Sequence, residues 1–246
     1  MDGGAYQTCT SPKQYFLLAE GQHTFQVRAK DAVGNTDPTP AEYTWTVDSL
    51  SPEVIFNEKP ARVTNDRTPK WAWTIKDANP SLDSYDHYCR MYERTNYRTL
   101  YDGYGCLSPL AFEAELPDAD YAFWVEVGDR AGNYGYSDTS YFEVDNVAPK
   151  FVSGKPTGKT VRRYASVVAT FDDNVYNSAK FVNIYKKGSS TPLAISDRYT
   201  SGKRIKLYLK NALKRGTWYT VKVTTGVNDG ANKLAKAKTW HFKTKG

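Results

Sequence analysis

The chain has 246 residues, 40% hydrophobic and 14% aromatic, with 33 Lys+Arg against 27 Asp+Glu for a formal net charge of +6. That length suits two or three domains with adequate cores, and no apolar run is long enough to cross a bilayer as a helix. The start, Met1-Asp-Gly-Gly, is polar and lacks the basic and apolar regions of a signal peptide.

The first clear element runs from Gly21 to Asp48. His23, Phe25, Val27 and Ala29 alternate with Thr24, Gln26, Arg28 and Lys30, the period of two of a strand with one buried and one wet face. Asp31-Ala-Val-Gly34-Asn35 supplies a turn, since the Asp side chain accepts backbone N–H bonds and Gly and Asn tolerate positive φ. Thr44 to Val47 make the returning strand. The unit recurs with Tyr121, Phe123, Val125 and Val127 inward, Asp129 to Asn133 as the turn and Tyr141 to Asp145 as the return. Asp31 to Asp129 and Asn35 to Asn133 are both 98 apart, while Cys9 to Cys106 and Asp48 to Asp145 are both 97. Spacing held that closely predicts tandem modules of about a hundred residues, the size of a β-sandwich. A third copy has Tyr219, Val221 and Val223, then Asn228-Asp-Gly-Ala-Asn232, then Trp240 and Phe242. Its altered turn predicts a hairpin that closes differently.

These residues resemble known families. The first two copies, through CTSP at Cys9, VRA with D-x-x-G-N and YTWTVD, are similar to the bacterial immunoglobulin-like repeats of long secreted and cell-surface proteins. The third resembles the Ig-like domain of S-layer and other envelope proteins, through Phe171-Asp172, Leu213 to Tyr219, Gly226-Val227, Asp229 and Trp240 to Thr244. The resemblance implies an all-β fold of tandem immunoglobulin-like, fibronectin-III-like sandwiches and is weak for activity, because such folds host many roles. It divides the chain into residues 1–48, the C-terminal half of a repeat; 49–147, a sandwich with one disulfide; and 148–246, a basic sandwich of the envelope type. It also implies an exported chain, read as an internal or C-terminal piece of a longer protein whose other modules are its partners.

Residues 1–48 are expected to lean on the second module, pair with another chain or be poorly ordered, since half a sandwich exposes an edge and half a core. The linkers Asp48-Ser-Leu-Ser-Pro52 and Asp145-Asn-Val-Ala-Pro149 share a D-x-x-x-P form that suits a short stiff joint, and hence an extended rod. Calcium is one reading of Asp48 and Asp145, but two isolated carboxylates fall short of the oxygens it takes, and a capping or turn role is preferred. No metal or cofactor is assigned.

In the second module Trp71, Trp73 and Ile75 are read as core. In an exported β domain Cys89 and Cys106 are expected to form a disulfide, with Cys9 the orphan whose partner would lie before Met1. Between the two cysteines lies a tyrosine-rich hairpin. Tyr92, Tyr97, Tyr101 and Tyr104, with Trp124 nearby, are candidates for stacking on glycans or gripping a protein, set against their ordinary use in strands.

Catalytic chemistry finds little support. His23 stands where the other copies have Tyr121 and Tyr219, the place of a tyrosine-corner hydrogen bond. Asp86-His87-Tyr88-Cys89 lacks a second cluster at metal spacing. Phosphate loops, a G-x-S-x-G elbow and H-E-x-x-H are absent from the sequence, and Asp118/Asp120 and Asp172/Asp173 fall at strand ends and turns. No enzyme is expected.

Charge is the strongest remaining signal. Residues 1–147 carry 12 Lys+Arg and 23 Asp+Glu, leaving 21 basic and 4 acidic residues for 148–246. Such a split implies a polyanionic neighbour or association with the acidic half, against the plainer reading of a solvated face. Alternation turns Ile205, Leu207 and Leu209 inward and Arg204, Lys206, Tyr208 and Lys210 outward, with Lys214 and Arg215 beyond. The expectation is a non-catalytic extracellular stalk and attachment module, its Arg204, Lys206, Lys210, Lys214 and Arg215 holding an anionic envelope polysaccharide. Nucleic acid is disfavoured, since no base-reading motif or stacking platform is visible. The alternative is an adhesin module that uses the tyrosine-rich hairpin, residues 90–105.

Overall fold

A computed structural model describes residues 1–77 and 86–246. The architecture is all β. β1 (Gly21–Val27) and β2 (Ala41–Val47) form an antiparallel hairpin, His23 opposite Trp45, closed by Asp31. Its Oδ1 accepts the Val33 and Asn35 amides at 3.1 and 2.8 Å, and its Oδ2 accepts the Asn35 side chain at 2.8 Å. Among the described residues no second sheet faces this hairpin, so Tyr43, Val27, Phe16 and Leu17 stay exposed and His23 is the one buried residue of 1–48.

The middle sandwich comprises β3 (Glu53–Glu58), β4 (Val63–Thr64), β5 (Lys70–Lys76), β6 (His87–Glu93), β7 (Arg98–Tyr104), β8 (Leu110–Ala111), β9 (Ala119–Gly128), β10 (Tyr134–Tyr136) and β11 (Ser140–Val144). One sheet runs β4-β11-β9-β6-β7, with β10 on the end of β9; the facing sheet is β3-β5-β8. Alternation on β5 and β9 drives Trp71, Trp73, Phe123 and Val125 between the sheets, and Trp71 lies 4.4 Å from Phe123 and 5.3 Å from Phe142 by ring centroids. The Cys89–Cys106 disulfide, both sulfurs buried, ties β6 to the loop after β7. Cys9 is free and exposed.

The C-terminal sandwich comprises β12 (Phe151–Lys155), β13 (Gly158–Val161), β14 (Val167–Phe171), β15 (Val182–Lys186), β16 (Ile195–Ser201), β17 (Arg204–Leu209), β18 (Trp218–Val223) and β19 (Lys238–Thr244). Its sheets are β12-β14-β17-β16 and β13-β19-β18-β15. Phe171, Ile184, Ile205, Leu207, Val221 and Phe242 fill a core separate from that of the middle sandwich. Backbone and ring meet closely at Gly154, where a Cβ would lie 2.4 Å from Trp240.

One hydrogen bond recurs in all three units. Tyr121 donates its hydroxyl to the Pro117 carbonyl at 2.8 Å, His23 Nε2 meets the Ala19 carbonyl at 2.8 Å, and the Tyr219 hydroxyl accepts the Lys214 amide at 2.9 Å. Each pins the segment entering its strand to that strand's first turn inward.

The joints are tight. Asn133 of the middle unit's turn donates to the Asp48 carbonyl at 3.1 Å, and Asn232 donates to the Asp145 carbonyl at 2.8 Å. Gly135 lets β10 approach the first linker so closely that a Cβ there would fall 1.7 Å from the Pro52 oxygen. Gly230, at φ +111°, would bring its Cβ to 3.2 Å from Val63 of the preceding sandwich.

Candidate functional site

Three surfaces carry chemistry. The first is the outer face of β17. Ile205 and Leu207 point into the core, Leu209 is half-buried, and Arg204, Tyr208 and Lys210 face solvent with the half-buried Lys206 between them. The register sets Lys206 between Tyr199 of β16 and Val168 of β14. Its ammonium lies 4.6 Å from the centre of the Tyr208 ring, and Tyr208 stacks beside Tyr199 at 6.2 Å. The Tyr208 hydroxyl beside Lys206 holds the ammonium above its ordinary pKa, and the ammonium holds the phenol below its own. Lys214 and Arg215 are exposed but do not join this row. They follow β17 in the connection to β18, at the end where the Arg163 guanidinium donates to the Leu213 carbonyl at 2.6 Å. The basic residues thus form a strip on one sheet and a cap at the end remote from the joint.

The second surface is aromatic. Tyr104, Tyr88, Trp124 and Tyr136 come from β7, β6, β9 and β10 and run side by side across the outer face of the middle sandwich. Their successive ring centroids are 5.1, 5.5 and 6.0 Å apart. The Tyr88 hydroxyl donates to Asp102, whose carboxylate also faces Arg90 at 3.8 Å. Tyr92 and Tyr97 form a separate stacked pair at 6.4 Å near the hairpin tip, with Tyr97 in the left-handed region at φ 53°. Tyr101 corrects the sequence reading. It lies opposite the buried Met91, packs edge-on against Phe112 and belongs to the core side, because it stands three residues from the outward Tyr104 along a regularly paired stretch and so has the opposite parity. The sequence reading missed Tyr88, although it shares the outward parity of Trp124 once the pairing of β6 and β9 is known; Tyr136 of β10, beside Trp124, completes the row.

The third surface is acidic and lies at the joints. Asp145 of the linker, Asp173 just beyond β14 and Asp229 of the β18–β19 turn each place a carboxylate oxygen within 4.8 Å of the others, and Asp48, Asp77 and Asp129 do the same at the preceding joint. Asp129 and Asp229 are buried. Asp129 fills both oxygens, Oδ1 with the Ala131 and Asn133 amides and Oδ2 with the Asn133 side chain at 2.8 Å. The third turn is one residue shorter between Asp and Asn. Asp229 Oδ1 still accepts Ala231 and Asn232 at 2.9 and 2.6 Å, but the Asn232 side chain is drawn to the linker, and Asp229 Oδ2 is buried with no hydrogen-bond partner among the described residues. The altered turn therefore does close differently, by dropping one residue.

The remaining carboxylates named from sequence serve structure. Asp118 pairs with Arg67 at 3.0 Å, Asp120 faces Arg94 at 3.8 Å, and Asp172 accepts the Lys150 amide at 2.6 Å. Cys89, bound to Cys106, offers no thiolate beside His87.

Residues 145–244 match the family model of a bacterial Ig-like domain, a match that opens on the linker aspartate. Among solved structures, the N-terminal part of the bacterial S-layer protein SbsC is 27% identical over 40% of this chain and 24% of its own, with a TM-score of 0.33, so the chain spans about a quarter of that structure. The FN1–FN3 domains of chicken CNTN1 are 11% identical over 89% of this chain and 77% of theirs (TM-score 0.32). The fibronectin(III)-like modules of Clostridium thermocellum CbhA are 12% identical over 81% and 93% (TM-score 0.33). No curated protein sequence matches. A bacterial Ig-like domain following a sandwich with a disulfide inside its core makes this a non-catalytic, extracellular or cell-surface type of module. No helix among the described residues is long and apolar enough to cross a membrane.

Proposed function

We propose that the chain is a stalk and attachment module whose C-terminal sandwich holds an anionic envelope polymer through the strip Arg204, Lys206 and Lys210, with Lys214 and Arg215 extending the contact at the sandwich end. The observation that carries this reading is the register of β17, which sends every second residue of a basic strand to one exposed face in a unit with 21 basic and 4 acidic residues. Rigid strands place these charges about 7 Å apart along the chain direction, a spacing suited to successive charges on an extended polyanion, and Tyr199 and Tyr208 add apolar area beside them. Counterion release would make such binding fall steeply with salt.

The test is binding of the full chain and of its R204E/K206E/K210E variant to purified anionic wall polymer across a salt series. The wild type should bind at low salt and be stripped at high salt, while the variant, reversed on an exposed face, should fold and lose binding at least tenfold. Equal binding by both would remove the strip from consideration. A second reading is favoured by the four-ring row of Tyr104, Tyr88, Trp124 and Tyr136. Sugar rings stack on such platforms with little dependence on salt, so binding that survives high salt would point there.

A further inference from the structure

The strip on β17 borders a second feature of the same sandwich, an open cleft of about 480 Å3. β16 pairs with β17 and ends its sheet, and residues 175–181, with the short 3-10 helix Ala179–Phe181, run along that edge. Anchors at both ends hold them beside the strand. The Val175 amide donates to the Gly202 carbonyl at 3.1 Å. From β16, Arg198 Nη1 donates to the Ala179 and Val182 carbonyls at 3.2 and 3.0 Å, and Nη2 donates to the Asn183 side chain at 3.0 Å. The gap between these anchors is lined by Tyr176, Asn177, Lys180, Arg198 and Tyr199.

The charge of this cleft is uncompensated. All three acceptors of Arg198 are neutral oxygens, and neither Arg198 nor Lys180 joins an ion pair among the described residues. The unit has only four carboxylates, Asp172, Asp173, Asp197 and Asp229, and none of them lines the cleft. A half-buried guanidinium held in place by carbonyls is already oriented when an anion arrives. Beside it Tyr176 and Tyr199, 47% and 41% exposed, supply aromatic area, and the Asn177 amide can both donate to and accept from hydroxyls. Tyr199 also stacks beside Tyr208 and stands opposite Lys206, so the cleft opens directly onto the strip.

We propose that the cleft binds one anionic sugar unit, a pyranose ring carrying a carboxylate or a phosphate. This rests on the attachment reading above and deepens it: the strip holds a polymer by its charge, and the cleft distinguishes an acidic saccharide from other polyanions. Two cations call for the acidic group, while the two tyrosines and the amide suit the ring and its hydroxyls. The volume falls in the range of about 300–1,000 Å3 of small-ligand sites, and the open side lets a chain continue onto β17.

The full chain would be titrated with glucuronate, glucose 6-phosphate, glucose and acetate at matched ionic strength, followed by 1H–15N NMR. At least one of the acidic sugars should shift the amide signals of Tyr176, Lys180 and Arg198 saturably, with a Kd of about 1–10 mM for so small a ligand. The tighter of the two names the acidic group. Glucose and acetate, each supplying only half of the ligand, should bind roughly tenfold more weakly or worse. Lys180→Glu, at an exposed position, should fold and lose about tenfold in affinity. Lys236→Glu, an exposed lysine of the same sandwich outside the cleft, should match the wild type. Saturable uptake of an acidic sugar that K180E loses, beside polymer binding that R204E/K206E/K210E leaves intact, would sink the strip and keep the cleft. No shift by either acidic sugar, glucose or acetate binding as tightly, undiminished binding by K180E, or an equal loss in K236E would each overturn the cleft and leave the strip to its own test.

Discussion

His23 has both ring nitrogens against groups that can only accept: Nδ1 lies 2.8 Å from the Asp2 carboxylate and Nε2 lies 2.8 Å from the Ala19 carbonyl. Both nitrogens must then carry protons, and the bond to Ala19, followed by that to Asp2, raises the His23 pKa above 6.5. Asp2 is lowered in turn, first by His23 and then by the Thr24 amide. The sign follows from the two directions. The His23 contribution is complete below its unfolded value and fades as pH climbs through the raised folded one; the Asp2 contribution is complete above about 3.8 and fades as acid reaches its lowered value. The N-terminal clasp is therefore tightest between these limits and loosens on either side of them. Proton NMR titration should place His23 above 6.5, and Asp2→Asn should bring it down; a His23 pKa unmoved by that change would deny the pairing. Tyr121 shows the same hydrogen bond with a group that does not titrate near neutrality, so the clasp of the first unit alone should respond to mild alkali.

At the scale of elements, the aromatic row makes the sharper prediction. Tyr88, Trp124 and Tyr136 sit on three adjacent strands, so each ring is held by a ladder on both sides or by its neighbours, and little rotamer entropy remains to be lost on contact with a flat ligand. If a glycan uses this face, Trp124→Ala should weaken binding by about 1–3 kcal/mol, roughly five- to 150-fold, while leaving folding intact because the indole is half-buried and outward. Unchanged affinity in glycan titrations would leave the rings as sheet packing. The face could be read only in part from sequence. Alternation placed Trp124 outward, and its neighbours Phe123 and Val125 are indeed buried. Which tyrosines stand beside it depends on cross-strand register, and along β7 simple alternation sends Tyr101 to the core while Tyr104, three residues on, stays outside. The joint cluster was hidden for a similar reason. Asp145 lies 28 residues before Asp173 and 84 before Asp229, separations that carry no local signal and become contacts only when two sheets end at the same linker. The hairpin unit was more legible, because its period of two, its Asp-to-Asn turn and its repeat spacing are all local or periodic properties.

At the scale of the molecule, two cores share no buried residue, and they differ in what holds them. The middle sandwich depends on rings stacked around Trp71 and on the Cys89–Cys106 cross-link; the C-terminal one has aliphatic pairs across its sheets and no cysteine. A disulfide closing a loop of 17 residues contributes about 3 kcal/mol in the chain-entropy model. For a unit of about a hundred residues that corresponds to a melting shift on the order of 10 °C or more. Scanning calorimetry should accordingly resolve two unfolding events, and reductant should lower one of them while leaving the other in place. The unmoved event belongs to the basic sandwich, and the R204E/K206E/K210E charges would mark it, since the strip lies outside its core. One cooperative transition, or equal displacement of both by reductant, would mean that the joints bind the sandwiches into a single folding unit. The asparagine bridges to the Asp48 and Asp145 carbonyls would then carry far more coupling than two hydrogen bonds at the surface ordinarily supply.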